Sequence, residues 1–243
     1  ERLLVAPGAQ SFVSGAVFRR RPAASDRRVI RVTGPLNHLV VFAKTPRLGT
    51  VKTRLAKHIG TVAAWTFARR TLKAVVQPLA NDSRWQCRLA VSPDRAVHQS
   101  ALWPKARGMI AQGPGDLGQR MARVAKHMPP GPVIIIGADV PAIRPRHIAA
   151  AFQSLGAQDA VFGPARDGGF WLVGLKRRPV FKDIFQNVRW STEHALEDTI
   201  ANLPGPWSHG LLETLEDIDD GEAYRRWREN YALAPLSSSR RAV

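Results

Sequence analysis

A cationic loop follows the first strongly apolar run of the chain and has the composition of a phosphate-binding loop. Residues 39–42 are wholly apolar, and the next twelve positions contain Lys44, Arg47, Gly49, Lys52 and Arg54. Lysine and arginine side chains bind phosphate oxygens, and arginine can do so with two parallel hydrogen bonds. The loop has neither Walker A spacing nor a G-x-G-x-x-G fingerprint, so it would be a different kind of phosphate site. The alternative is an ordinary solvated loop on an arginine-rich protein.

Two aspartates, Asp139 and Asp217, have the sequence setting of metal-binding carboxylates. Asp139 comes shortly after the apolar run 133–136, where a buried strand is expected to end. Mg²⁺ and Mn²⁺ are commonly held by one or two such carboxylates together with substrate phosphates. Asp217 lies in the acidic segment 215–220 and is a candidate second ligand. The alternative for Asp139 is a turn or helix-cap role.

A glycine-rich turn and a tryptophan-containing segment supply the remaining candidate residues. Asp167 precedes Gly168 and Gly169, which would let a substrate approach the backbone closely. A plain turn is the simpler interpretation of Asp167. No nucleophile–base pair stands out in the sequence. A helix start is the simplest interpretation of the segment formed by Trp190, Ser191 and Thr192.

The elements predicted around these residues alternate between strands and helices. Apolar, β-branched runs predict strands at 39–42, 86–91, 109–112, 133–136, 160–163, 170–173 and 211–215. Helical spacing and capping residues predict helices at 61–79, from about 119 to 127, and at 145–155, 192–202 and 219–231. We expect three of these helices to be capped by Thr61, Ser191 and Asp219, the last in a capping box with Glu222. Gly156 is expected to end the helix at 145–155.

This alternation predicts a single α/β domain whose central sheet is mostly parallel and flanked by helices. The turn at 166–169 is expected to join two strands as an antiparallel hairpin. Ligands of such sheets bind at the carboxyl ends of the strands, where the loops after residues 42 and 136 should meet. We place the domain at residues 37–231, with a flexible basic extension at 1–36 and a disordered tail at 232–243.

The composition limits the classes of partner. The 243 residues carry a formal net charge of +17, which favours anionic partners such as nucleotides, nucleic acid or acidic membrane surfaces. The sequence lacks a recognition-helix pattern and a zinc module, so specific nucleic-acid binding is not expected. The single cysteine, Cys87, suits a reducing compartment, and we expect a cytoplasmic protein. No apolar run is long enough for a transmembrane segment.

Five segments resemble, in order, the motifs of one bacterial transferase family. They are FAKTPRLGTVKTRL at 42–55, IIIGADVP at 134–141, GPARDGGFWLVGL at 163–175, VRWST at 188–192 and LEDIDD at 215–220. Together they resemble CofC-like transferases of the GT-A fold, which is the Rossmann-like fold of nucleotide-diphospho-sugar transferases. This family is described as glycosyltransferases associated with radical-SAM, selenoprotein or arsenosugar gene clusters. It is similar to the nucleotidyltransferases that make cofactor guanylates and sugar nucleotides.

The resemblance implies roles for particular residues. It places the cationic loop on the phosphates of a nucleotide donor, and Gln119 and Arg120 near the base or ribose. It assigns Asp139 and Asp217 to a Mg²⁺ or Mn²⁺ ion, although the motif Ala-Asp-Val-Pro lacks the second aspartate of a full Asp-x-Asp. The sugar or a small-molecule acceptor would contact Asp167, Gly168, Gly169, Trp190, Ser191 and Thr192.

The expected function is therefore that of a transferase with a nucleotide-activated donor. Glycosyl transfer from a nucleoside-diphosphate sugar is the first expectation. The alternative within the same class is nucleotidyl transfer from a nucleoside triphosphate, which releases pyrophosphate. For the transfer reactions that the resemblance implies, Asp167 is the most plausible general base. The remaining alternatives are a nucleic-acid-binding protein and a catalytically inactive nucleotide-binding protein.

Overall fold

The computed structural model describes residues 36–177 and 180–233, and these residues form an α/β domain around one seven-stranded sheet. The strands are β1 (His38–Lys44), β2 (Gln86–Ser92), β3 (Gly108–Ala111), β4 (Val133–Gly137), β5 (Ala160–Pro164), β6 (Phe170–Leu175) and β7 (His209–Leu211). The helices are α1 (Thr53–Ile59), α2 (Thr61–Ala80), α3 (Leu117–His127), α4 (Pro145–Ala157), α5 (Ala195–Ala201) and α6 (Gly221–Leu233). The predicted fold class is confirmed.

The strand order, β3-β2-β1-β4-β6-β5-β7, places β4 in the middle of the sheet. Four of the six pairings between these strands are parallel, and the two antiparallel pairings are those that β6 makes with β4 and β5. The predicted hairpin of β5 and β6 is therefore present. Because β6 runs opposite to β4, its first residues lie at the edge where β4 ends.

Helices cover both faces of the sheet, as the alternating side chains of a doubly buried strand require. Leu39 and Val41 of β1 pack in one apolar cluster with residues of α2 and α4. Val40, between them, belongs to the opposite cluster, which contains residues of α3 and partly buried residues of α5. A third, smaller cluster joins α1, α2 and α6 through Leu55, Phe67 and Ala223.

The parallel pairing of β1 and β4 brings together the cationic loop after β1 and the loop after β4 that contains Asp139. Their register runs from His38 opposite Val133 to Phe42 opposite Gly137, so both strands end at the same edge. The cationic loop leaves β1 there, and Asp139 follows β4 two residues after its last position. This arrangement confirms the prediction that the loops after residues 42 and 136 meet.

Several predicted helix boundaries are wrong. Helix α1 was not predicted, and Thr61 is the first residue of α2 rather than its cap, since Gly60 takes the cap position. Gly156 lies inside α4, whose C-cap is Gln158. Ser191 has a left-handed backbone (φ 61°) and caps no helix, because α5 begins only at Ala195 with His194 at its N-cap.

The C-terminal elements also differ from the predictions. Strand β7 ends at Leu211, and Leu215 makes only an isolated bridge with Ala165. Helix α6 continues to Leu233, so residues 232 and 233 belong to it rather than to a disordered tail. The rest of the predicted tail and nearly all of the predicted extension at 1–36 lie outside the described residues. Within the described residues, no helix has the length and apolarity needed to cross a bilayer.

The side chain of Arg177 stabilises the turn between α3 and β4. It follows β6, and its guanidinium donates hydrogen bonds to the carbonyls of Ala125, Met128, Pro129 and Gly131. These carbonyls lie where α3 ends and the chain turns into β4, so they have no strand or helix partner of their own. One side chain thus satisfies four backbone acceptors.

We predict that Arg177→Met destabilises the fold by roughly 1–3 kcal/mol, because partly buried carbonyls lose their donors while the aliphatic stem is kept. Urea unfolding followed by circular dichroism measures the change. Lys176→Met is the matched control, since the side chain of the adjacent Lys176 is not part of this cluster. Equal unfolding midpoints for the two variants would contradict the assigned role of Arg177.

Candidate active site

Lys52 lies at the centre of the candidate site, between two carboxylates that come from distant parts of the chain. Its Nζ donates a hydrogen bond to Oδ1 of Asp219 at 2.5 Å and lies 3.3 Å from Oδ1 of Asp139. The residue occupies the N-cap position of α1 with a left-handed backbone (φ 50°). Its side chain is only 4% exposed, whereas that of Asp139 is 64% exposed. The loop after β1, the end of β4 and the segment before α6 therefore meet at one ammonium group.

The charge of Lys52 is maintained by its neighbours. Burial acts to lower the pKa of this lysine, but the nearby carboxylates of Asp139 and Asp219 outweigh that effect and raise it. The ammonium is therefore charged at neutral pH despite its burial, since a buried cation needs opposite charges close by. A fixed positive charge at this edge of the sheet can stabilise negative charge on a bound phosphate.

The other residues of the cationic loop are arranged around Lys52 with different degrees of exposure. The Nζ of Lys44 donates to the carbonyl of Thr50 at 3.2 Å, and the hydroxyl of Thr50 donates to the carbonyl of Arg47 at 3.1 Å. These bonds close the loop upon itself. Arg47 and Gly49 are exposed and lie outside the cavity that the loop borders, whereas Arg54 lines it.

Two neighbouring cavities open at this edge of the sheet. The first, which we call the loop cavity, has a volume of about 360 Å³, and its polar lining includes Lys44, Thr50, Lys52, Arg54, Asp139 and Asp219. The second, which we call the aromatic cavity, has a volume of about 280 Å³, and its lining includes Asp139, Asp167, Gly169, Phe170, Trp171, Trp190, Ser191, Thr192 and Asp217. Asp139 lines both cavities, so the carboxylate expected to hold a metal lies where they adjoin.

Asp217 is held in a strongly negative environment. Burial and, to a smaller extent, the charges of Asp219, Asp167 and Asp139 raise the pKa of its carboxyl to about 6, although Lys52 acts to lower it. Three other carboxylates therefore act on Asp217, and the ammonium of Lys52 opposes them. Such a cluster favours either bound protons or an additional cation.

Asp219 is a site residue that the sequence interpretation missed. The prediction made it the cap of the last helix, but Asp220 has that role, because its Oδ1 accepts the N–H groups of Glu222 and Ala223 at 3.0 and 2.9 Å. Asp219 is thereby free to pair with Lys52. The run of two aspartates was the available signal, since one residue suffices to cap a helix and the other can face the site.

Gln119 and Arg120 lie in neither of the two cavities, although the resemblance placed them near the base or ribose. Gln119 forms a capping box with Asp116 at the start of α3, in which its Oε1 accepts the N–H of Asp116 and its own N–H donates to Asp116. The Nε of Arg120 donates to the carbonyl of Gly115 at 2.8 Å. Both side chains thus have local structural partners.

Gly168 supports the aromatic cavity without lining it. Its backbone is left-handed (φ 82°), and a β-carbon there would lie 2.1 Å from the carbonyl oxygen of Glu193. The turn can therefore pack against the segment before α5 only with glycine at this position. Asp167 precedes it, and its Oδ1 accepts the N–H of Gly169 at 3.0 Å. The turn-residue interpretation of Asp167 is thus compatible with a position at the cavity wall.

The carboxylates fit a hard divalent cation whose ligand set is completed by a substrate. Among the described residues, no three His, Cys, Asp or Glu side chains are grouped so that they could hold a metal ion by themselves. Asp139 and Asp217 both line the aromatic cavity, and carboxylate oxygens are the donors that Mg²⁺ and Mn²⁺ prefer. Mg²⁺ characteristically takes one or two protein carboxylates and fills its remaining positions with phosphate oxygens and water.

Part of the chain matches a family of bacterial proteins. A family model described as "Uncharacterized protein conserved in bacteria (DUF2064)" matches residues 75–192. This stretch contains Asp139 and Asp167 but neither the cationic loop nor Asp217 and Asp219. No curated protein sequence matches the chain at a significant level.

Solved structures with a similar fold include transferase-like proteins. A candidate nucleotide-diphospho-sugar transferase from Desulfovibrio desulfuricans G20 superposes with a TM-score of 0.67 at 24% identity, covering 81% of this chain and 96% of that one. A 4-diphosphocytidyl-2C-methyl-D-erythritol synthase from Anaerococcus prevotii DSM 20548 superposes with a TM-score of 0.56 at 8% identity, covering 82% and 96%. Rv0371c from Mycobacterium tuberculosis H37Rv gives a TM-score of 0.50 at 18% identity, covering 81% and 100%. At these identities the likeness establishes the nucleotide-diphospho-sugar transferase fold.

We predict that Asp217→Asn removes a loss of folding stability that the wild type shows as the pH rises from about 4 to about 6. In the wild type, ionising Asp217 is harder in the folded chain (pKa about 6) than in the unfolded chain (3.8), so folding stability falls as pH rises between these values. Asparagine cannot ionise, so the stability difference between variant and wild type should shift in favour of the variant from pH 4 to pH 7.

Urea midpoints measured at several pH values test this prediction. Glu229→Gln, at an exposed carboxylate of α6, is the control and should show no comparable shift. A difference between Asp217→Asn and the wild type that stays constant across this range would contradict the assigned environment of Asp217.

Proposed function

We propose that this protein is a transferase that uses a nucleotide-activated donor, most directly a glycosyltransferase acting on a nucleoside-diphosphate sugar. The observation that carries the proposal is the position of Lys52, held charged between Asp139 and Asp219 where the loop cavity adjoins the aromatic cavity. The donor diphosphate lies in the loop cavity, and the transferred group points from there into the aromatic cavity. The shared fold of the candidate nucleotide-diphospho-sugar transferase supports this assignment.

Charge balance in the loop cavity explains how a diphosphate would be bound. Lys44, Lys52 and Arg54 line the cavity and supply donors for phosphate oxygens, and exposed Arg47 lies on the same loop. Lys52 is already shared by two carboxylates, so its charge alone cannot offset both these groups and an incoming diphosphate. A Mg²⁺ or Mn²⁺ ion held by Asp139 and Asp217 would supply the missing positive charge and polarise the phosphate oxygens.

In glycosyl transfer, the chain's own residues bind the leaving group and orient the acceptor. The bond between the anomeric carbon and the diphosphate oxygen breaks, and the electron pair leaves with the nucleoside diphosphate. Lys52 and the other loop cations stabilise the negative charge that develops there. Asp167, on the wall of the aromatic cavity, is positioned to accept the proton of an attacking hydroxyl.

Nucleotidyl transfer is the second candidate, because a cationic loop also stabilises departing pyrophosphate. An acceptor phosphate would then attack the α-phosphorus of a nucleoside triphosphate. The released product distinguishes the two reactions. Incubation with nucleoside triphosphates and sugar nucleotides in the presence of Mg²⁺ or Mn²⁺, followed by mass spectrometry, should show nucleoside diphosphate. Release of pyrophosphate would favour nucleotidyl transfer. A protein that neither turns over nor binds any of these nucleotides would refute the transferase assignment.

We predict that Lys52→Met weakens the binding of nucleoside diphosphates roughly tenfold or more, which corresponds to about 1.4 kcal/mol. The variant removes the central cation of the loop cavity and leaves two carboxylates facing the phosphates. Isothermal titration calorimetry measures the affinity. Lys57→Met, on the exposed surface of α1, is the matched control and should bind as the wild type does. Unchanged affinity of folded Lys52→Met would remove Lys52 from the donor site.

We predict that Asp139→Asn abolishes the dependence of donor binding on Mn²⁺. Asparagine keeps the shape of the side chain and leaves the bond between Lys52 and Asp219 in place, but it removes the charged metal ligand. Titrating Mn²⁺ against a fixed concentration of donor measures the dependence. Asp183→Asn, at an exposed carboxylate on the segment before α5, is the control. The same Mn²⁺ dependence in Asp139→Asn and wild type would contradict the metal assignment.

A further inference from the structure

The two cavities differ in charge in a way that identifies the kind of acceptor. The charged residues that line the loop cavity are three cations and two carboxylates: Lys44, Lys52, Arg54, Asp139 and Asp219. The aromatic cavity is lined by three carboxylates, and none of the described residues along its wall is lysine, arginine or histidine. This wall belongs to a chain whose formal net charge is +17. The lack of a cationic side chain among the described residues of this wall therefore contrasts with the basic composition of the whole sequence.

The apolar part of the aromatic cavity is an ordered aromatic wall. The ring of Trp190 lies edge-on to Phe170, with centroids 6.1 Å apart, and also contacts Phe185 at 6.4 Å. Gly118 packs against the same indole, because a β-carbon there would lie 2.7 Å from a ring carbon of Trp190. The Nε1 of Trp171 donates to the carbonyl of Glu213 at 3.1 Å, so this indole offers the cavity no free donor. Such a wall suits the apolar face of a sugar ring or a hydrocarbon group.

The charged groups of the wall are hydrogen-bond acceptors. Asp167 is oriented by the N–H of Gly169, and an ionised carboxylate can only accept. The hydroxyl of Thr192 already donates to the carbonyl of Arg189 at 2.7 Å. The hydroxyl of Ser191 and the indole N–H of Trp190 also line the cavity and can donate, but neither carries a charge. The charged groups of this wall are therefore matched by ligand donors such as hydroxyl and ammonium groups. Phosphate and carboxylate groups supply only negative charge and acceptors, and they would face Asp167 without a cation between them.

From this composition we infer that the acceptor is an uncharged polyhydroxy compound or an amine with an apolar face, and not a phosphorylated or carboxylated compound. The inference rests on the proposed transferase function and names the substrate class of its second site. It holds with a metal ion present, because Asp139 and Asp217 would share that ion with the donor phosphates and Asp167 is not among its proposed ligands.

Glycosyl transfer to such an acceptor forms one bond and breaks one. The oxygen of an acceptor hydroxyl, or the nitrogen of an unprotonated amine, forms a bond to the anomeric carbon, and the bond from that carbon to the donor phosphate breaks. The electron pair leaves with the nucleoside diphosphate, and the acceptor proton passes to Asp167. An acceptor phosphate, as in the nucleotidyl transfer considered above, would meet no cationic side chain on this wall. The same feature therefore favours glycosyl transfer over nucleotidyl transfer to a phosphate.

The inference is tested with three probes that share one apolar group: phenyl glucoside, phenyl glucosaminide and phenyl glucoside 6-phosphate. Each is titrated into the full chain saturated with a nucleoside diphosphate and Mn²⁺, and binding is followed by saturation-transfer-difference NMR. We expect the neutral and amine probes to bind, and the phosphorylated probe to bind at least about tenfold more weakly. Equal or tighter binding of the phosphorylated probe, or no binding of the other two, overturns the inference.

Variants at Asp167 locate this selectivity. Asp167→Asn keeps an acceptor for the N–H of Gly169 but loses the charge, and it should reduce the preference for the amine over the phosphorylated probe severalfold. Asp167→Lys should reverse that preference. Asp183→Asn is the matched control, because Asp183 also accepts an N–H two residues ahead, that of Phe185 at 3.0 Å, and does not line the cavity. Unchanged selectivity in folded Asp167→Asn and Asp167→Lys contradicts the assigned role of this carboxylate.

Nucleotide binding, measured separately by calorimetry, distinguishes failure of the acceptor class from failure of the proposed transferase function. If nucleoside diphosphates bind but the phosphorylated probe is preferred, the acceptor class is wrong and the transferase proposal stands. If no nucleoside diphosphate or triphosphate binds in the presence of Mg²⁺ or Mn²⁺, the transferase proposal fails and the acceptor class fails with it.

Discussion

The contact of one buried ammonium with two carboxylates is the constraint on which the candidate site depends. Lys52 pairs with Asp219, 167 residues further along the chain, and with Asp139 at the end of the central strand. A buried charge without such partners would be too costly to keep. The three segments must therefore stay together for the site to exist, which explains why the loop after β1, the end of β4 and the start of α6 converge.

The sheet topology places the loop cavity and the aromatic cavity on either side of this charged centre. The parallel pairing of β1 and β4 places the cationic loop beside Asp139, and the antiparallel strand β6 brings Asp167 and Phe170 to the same edge. The loop cavity then carries three cations beside Asp139 and Asp219, whereas the aromatic cavity carries carboxylates and rings without a cationic side chain among its described lining residues. A diphosphate suits the first and a hydroxyl- or amine-bearing ligand suits the second, so the division of charge matches the division of roles in a transfer reaction.

The fold was predictable from the sequence because buried strands have a strong local signal. The apolar runs at 39–42 and 133–136 identified β1 and β4, and through them the edge where the candidate residues meet. The pairing of Lys52 was not predictable, since it depends on tertiary contacts across most of the chain. The roles of Asp219 and Asp220 were exchanged because a capping pattern fixes a helix start only to within a residue. Ser191 resembled a cap in sequence, but its left-handed backbone follows from packing that no local pattern reveals.

A crystal structure of the protein with a nucleoside-diphosphate sugar and Mn²⁺ would test the central claim most directly. The account predicts that the diphosphate lies in the loop cavity within hydrogen-bonding distance of the Nζ of Lys52. It also predicts an anomalous Mn²⁺ peak at Asp139, with the sugar directed into the aromatic cavity. A diphosphate bound away from Lys52, or a sugar that points away from Asp167 and Trp190, would contradict the account.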